Sequence, residues 1–96
     1  VVVGSMDRRL AGLHGDSGAV RWERRTDDAI ESSPAIGADG TFYVGTYGGV
    51  LLAGDATTGA ARWELATGGW ISSSPAIGAD GTLYVGDKER RLLAVR

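Results

Sequence analysis

Apolar residues in this chain fall in short runs separated by glycine-rich polar breaks. Phe42-Tyr43-Val44 and Val50-Leu51-Leu52-Ala53 are apolar at consecutive positions, the pattern of strands covered on both faces. Ala61, Trp63 and Leu65 alternate instead with Ala60, Arg62 and Glu64, the period-two pattern of a strand with one solvated face. No window shows a helical period. Through the middle of the chain the pattern predicts four strands, at about 32–37, 41–46, 50–55 and 60–65. Between them lie Ala38-Asp39-Gly40, Tyr47-Gly48-Gly49 and Thr57-Thr58-Gly59, each a tight turn. The Asp-Gly pair suits the positive φ angles of a hairpin. The predicted unit is an antiparallel meander.

That unit repeats. Residues 32–41 recur unchanged at 73–82, and Tyr43-Val44-Gly45 returns as Tyr84-Val85-Gly86, with a partial copy at Val2-Val3-Gly4. Arg21-Trp22-Glu23 returns as Arg62-Trp63-Glu64 and Gly18 as Gly59, always at an interval of 41 residues. A fixed period of this size marks stacked supersecondary units. Four-stranded sheets stacked face to face supply the two-sided burial of the second and third strands, the arrangement of β-propeller blades. The small residues Ser33, Pro34, Ala35 and Gly37 fit a first strand crowded towards an axis, where an edge position tolerates proline. The expected fold class is therefore all-β: about 2.3 propeller repeats in one segment, with a partial blade at 1–31, a complete blade at 32–72 and a partial blade at 73–96. Strands divide among them as three, four and three.

Leu51-Leu52-Ala53-Gly54-Asp55-Ala56-Thr57-Thr58-Gly59, followed by Trp63, resembles the tryptophan-docking repeat of PQQ-type propellers. Tyr43-Val44-Gly45 and Ser33-Pro34-Ala35 match the same pattern. The likeness covers nearly the whole chain. Gly54 stands where the family prefers Leu, and His14 and Ser17 replace Asp and Thr in the first copy. The resemblance implies docking roles for Trp22 and Trp63 with Gly18 and Gly59, since an indole buries a large apolar area and keeps one N–H for a backbone acceptor. It implies two functional classes: quinoprotein dehydrogenases that hold PQQ and calcium, and a non-enzymatic branch that includes the outer-membrane assembly lipoprotein of the β-barrel machinery. That branch implies a periplasmic or extracellular location.

Composition narrows the chemistry. Ten basic against twelve acidic residues give a net charge of −2, which argues against a nucleic-acid arm. There is no Cys and no Asn, and Lys88 is the sole lysine. Thiolate chemistry is excluded, and a quinone site with hard oxygen ligands and a cysteine pair is not expected within this segment. No apolar stretch approaches the ~20 residues of a membrane-spanning helix. No signal-peptide pattern is present and the chain starts at Val1 rather than Met, which suggests a processed or excised piece.

His14, the only histidine, has no second ligand to pair with. Asp39 and Asp80 precede glycines, where they cap turns. The serines at 32–33 and 72–74 lack a base. No catalytic residue, metal ligand or cofactor is expected. Variation between copies is greatest in the turn after the second strand: Ser5-Met6-Asp7-Arg8-Arg9, Thr46-Tyr47-Gly48-Gly49, and Asp87-Lys88-Glu89-Arg90-Arg91. Turns free of packing constraint carry specificity, so Arg8, Arg9, Arg90 and Arg91 are interaction candidates for an acidic partner, although Asp7, Asp87 and Glu89 offset them. Tyr47 and Trp70 are candidate interface aromatics, set against a role in interblade packing.

The expected function is a non-catalytic scaffold for a protein partner. Alternatives are a structural piece of a quinoprotein dehydrogenase, or an amplified or engineered repeat with no evolved ligand. Because propellers close with 4–8 blades, the segment is expected to belong to a longer propeller or to self-associate into a composite one.

Overall fold

The computed structural model describes residues 2–26, 28–30, 33–67, 69–71, 74–86 and 92–95. They form ten strands and, among the described residues, no helix: β1 (Val2–Gly4), β2 (Arg9–Leu13), β3 (Val20–Arg25), β4 (Ala35–Ile36), β5 (Thr41–Gly45), β6 (Val50–Asp55), β7 (Ala61–Ala66), β8 (Ala76–Ile77), β9 (Leu83–Gly86) and β10 (Leu92–Val95). Three antiparallel sheets result, ordered β1-β2-β3, β4-β5-β6-β7 and β8-β9-β10. The expected division into three, four and three strands is the one found.

The first strands of the middle and last blades, β4 and β8, are shorter than their pattern predicts. β4 pairs with β5 only at Ala35 and Ile36, and Ser32, where the strand was expected to start, lies outside the described residues. Pro34 has no N–H to donate, and the Ser33 N–H is turned away to the Ser74 hydroxyl oxygen at 2.9 Å. Serines 33 and 74 are equivalent residues of neighbouring blades, so their contact marks where the blades crowd together.

Turn chemistry follows the sequence with one correction. In the Ala38-Asp39-Gly40 turn only the glycine has a positive φ, +82°, and Gly81 repeats it at +85°. Asp39 acts through its side chain, accepting the Thr41 N–H at 3.1 Å, and Asp80 accepts the Thr82 N–H at 3.0 Å. The turn after the second strand likewise needs one left-handed residue. Gly49 provides it in the middle blade at φ +82°, whereas Arg8 takes the equivalent place in the first at φ +69°. A side chain there costs about 1 kcal/mol.

Two apolar cores lie between the blades, and they are copies of each other. Val2, Leu10, Trp22, Ile30, Phe42, Val44 and Leu52 fill the first. Leu51, Ile71, Leu83 and Val85, with Tyr43, Ile77 and Val95 packed against them, fill the second. Leu10 and Leu51, Ile30 and Ile71, Phe42 and Leu83, and Val44 and Val85 are repeat equivalents. Alternate residues of β5 serve the two cores, Phe42 and Val44 one and Tyr43 the other, which explains why the run is continuously apolar.

Trp22 locks the first junction. Its indole stacks on Phe42 of the middle blade with centroids 5.4 Å apart, and its Nε1–H donates to the Ala56 carbonyl at 2.8 Å. The ring lies against Gly59, where a Cβ would overlap it. Beside it, the Arg24 guanidinium donates to the Gly59 carbonyl at 2.7 Å. Gly18 has open space around its Cα, so no indole of this chain reaches it.

Trp63 is placed differently. It tilts against Tyr43 with centroids 6.0 Å apart and is 37% exposed, against 9% for Trp22. The residues that would serve Trp63 as Ala56 and Gly59 serve Trp22 fall one repeat on, past residue 96. For the same reason β7 is exposed throughout, where the alternation predicts one buried face. Val3 and Tyr84, equivalents of the core residues Val44 and Tyr43, are 42% and 41% exposed because no blade of this chain covers them.

Replacing Trp22 by Ala is expected to cost at least about 3 kcal/mol, and Trp22→Phe about 1 kcal/mol for the lost hydrogen bond. Trp63→Ala should cost only about 1–2 kcal/mol. Urea unfolding followed by circular dichroism orders the three.

Acid should weaken the turns. The Thr41 N–H, then its hydroxyl and Arg62, hold the Asp39 carboxyl below the usual aspartate range. The Thr57 and Thr58 N–H groups with Arg62 do so for Asp55, and the Thr82 N–H and hydroxyl for Asp80. Carboxylates depressed in the folded state give stability that is complete above about pH 4 and is lost as pH falls below it. Unfolding midpoints measured from pH 6 down to pH 2 should therefore drop on the acid side, and less steeply in the Asp39→Asn/Asp80→Asn variant.

Candidate functional site

Strand direction sorts the polar and aromatic residues onto two ends of the blades. Turns between second and third strands share one end with the linkers that follow the fourth strand. Backbone hydrogen bonds tie them together: Ile30 N–H to the Ser5 carbonyl at 3.0 Å, Tyr47 N–H to Ala29 at 2.9 Å, and Ile71 N–H to Thr46 at 3.1 Å. The remaining turns lie at the opposite end.

The turn-and-linker end gathers every described interaction candidate. Tyr47 and Trp70 stack on each other with centroids 5.3 Å apart and an interplanar angle of 18°. Trp70 is 56% exposed and belongs to neither core. Its equivalent in the first copy is Ala29, and that of Tyr47 is Met6, itself 58% exposed. Arg8 and Arg9 stand at the corner of the first blade, both exposed, and Arg9 meets Asp7 at 3.6 Å. Arg90 and Arg91 lie outside the described residues.

Two further arginines join this corner that the turn comparison overlooked. Arg24 and Arg25 end β3, and with Arg9 and Glu23 they line a cleft of about 320 Å³. The signal was present in the repeat, since the middle copy has Leu65 and Ala66 there. Met6 stands within the compared turn but was not singled out, because its exposure follows from the turn and not from its residue type.

The opposite end is acidic but occupied with its own backbone. Arg62 donates to the Thr41 hydroxyl at 2.7 Å and stands 3.5 Å from Asp55 and 3.8 Å from Asp39. Asp55 also accepts the Thr57 N–H at 2.7 Å. His14 is exposed, and its backbone closes the next turn through Gly18 N–H at 2.8 Å. These carboxylates are spent on turns and one guanidinium.

A calcium-bound quinone needs several converging oxygen ligands. Among the described residues no group of three or more His, Asp or Glu could hold a metal ion, and the chain has no Asn. The described residues do not fit that cofactor.

Comparison with known proteins agrees with the architecture. No curated relative matches the chain. Among solved structures, BamB from Moraxella catarrhalis superposes with a TM-score of 0.84 at 24% identity, covering 98% of this chain and 28% of that one. A europium-containing methanol dehydrogenase gives a TM-score of 0.68 at 27% identity over 82% of this chain and 14% of its own. The quinohemoprotein alcohol dehydrogenase ADHIIG from Pseudomonas putida gives 0.68 at 22% identity over 80% and 11%. The chain thus spans less than a third of each structure. The likeness to the dehydrogenases lies in the stacked blades. With the family model for outer membrane protein assembly factor BamB matching residues 2–96, the repeat, the docked tryptophan and the paired cores place this chain in the BamB family of propellers.

Proposed function

We propose that this segment works as a non-catalytic scaffold that presents its turn-and-linker end to a protein partner, in the manner its family's name implies for outer membrane protein assembly. The observation that carries the reading is the Tyr47–Trp70 stack. The first copy packs its blade with Met6 and Ala29 at those positions, so the architecture requires neither aromatic ring. Trp70 nevertheless keeps 56% of its surface in solvent. Exposed aromatic side chains held rigid by a neighbour make efficient contact residues, because little side-chain freedom remains to be lost on binding. The differing turns of the three copies give the same end a composition that varies while the cores stay constant.

Site-specific photo-crosslinking in the producing cell tests this. A benzophenone side chain at position 47 or 70 should capture a discrete protein partner, whereas one at 38 or 79, on the opposite end, should not. Capture at 38 or 79 alone would contradict the proposal. Saturable binding of PQQ with calcium, followed by quinone absorbance, would favour the dehydrogenase reading instead.

A further inference from the structure

We infer that the corner of the first blade formed by Arg8, Arg9 and Arg25 is a docking site for an acidic polypeptide segment. The inference rests on the scaffold reading and names the chemistry of one partner surface. Three observations carry it. Arg8 occupies a left-handed backbone position, φ +69°, that the middle blade fills with Gly49. The turn itself is held by main-chain bonds, Ser5 N–H to the Arg9 carbonyl and Thr26 N–H to the Arg8 carbonyl, both 3.0 Å. A glycine would serve it equally, so the guanidinium is not there for the turn.

Arg9 and Arg25 are direct cross-strand partners in the β2–β3 register. Like charges placed opposite each other are unfavourable, and the middle blade pairs Val50 with Ala66 at the same positions. Val50 stays only half-buried beside the neighbouring first blade, so this rim position remains reachable in a stack. Among the described residues the positive charge is also under-compensated. Asp7 stands by Arg9 and Glu23 lines the same cleft, while Arg8 and Arg25 have no ion pair among the described residues. Asp28 uses its carboxylate on the Ala29 N–H. Arg24, which also lines the cleft, has a buried Nε with no partner among the described residues.

Several guanidinium groups spread along a strand end match a run of carboxylates better than a single anion, because each fork can take one carboxylate. The cleft also lies beside β3, whose outer edge is unpaired in its sheet, leaving room for an extended chain. An Asp- or Glu-rich polypeptide meets both features.

The test uses a fluorescein-labelled octaglutamate peptide and the purified chain, read by anisotropy. The triple variant Arg8→Gly/Arg9→Val/Arg25→Ala carries the middle blade's own residues, so it should fold, as circular dichroism and thermal melting will show. The chain should bind the peptide with an affinity that falls as salt rises, and the triple variant should bind about tenfold or more weakly. Equal binding by both proteins would overturn the inference, as would tighter binding of anionic phospholipid vesicles or single-stranded DNA than of the peptide. If the peptide fails while crosslinks from positions 47 and 70 persist, this inference falls alone. Loss of the crosslinks with peptide binding intact would remove the aromatic scaffold reading instead.

Discussion

The architecture depends on one contact that crosses from blade to blade. An indole projecting from the outermost strand of the first sheet lies between Phe42 and Gly59 of the second and donates its N–H to the Ala56 carbonyl at 2.8 Å. The contact joins an apolar surface that must leave water to a polar group that must find an acceptor. Both needs are met only when the next blade sits at one distance and one rotation. Gly59 is required twice over, once for its φ of +79° and once because a Cβ would collide with the ring. Around that contact the first core forms, and the second repeats its aliphatic residues without a docked indole, with alternate residues of β5 serving opposite neighbours.

Much of this was legible in the residues because repetition doubles every signal. Identical decapeptides at 32–41 and 73–82 expose the period, and the apolar runs at 42–44 and 50–53 disclose sheets buried on both faces. What was not legible has physical reasons. The brevity of β4 depends on a serine N–H that finds a hydroxyl of the next linker instead of a strand. The exposure of Trp63 and of the whole of β7 depends on what stands beside it, which an alternating pattern cannot reveal. Nor does the sequence alone say that Arg8 takes the left-handed place of Gly49, or that Arg9 faces Arg25.

The same repetition isolates what is free to carry function. Positions where three copies agree are explained by strands, turns and cores. Several of the positions where they disagree share the turn-and-linker end: Met6 against Tyr47, Ala29 against Trp70, Arg8 and Arg9 against Gly49 and Val50. That end combines a stacked aromatic pair with a cationic corner, while the other end spends its carboxylates on backbone N–H groups and Arg62. Membership in the BamB family rests on the repeat itself, which the family model matches over residues 2–96.

Hydrogen exchange at the tryptophan indole N–H groups tests the central contact most directly, since the chain has three tryptophans and each gives its own resonance after assignment. The blade-docking account predicts that the Trp22 indole proton exchanges far more slowly than that of Trp70, with a protection that follows the stability of the whole chain. A Trp22 proton that exchanges as fast as Trp70's would show that the bond to Ala56 does not hold the blades together.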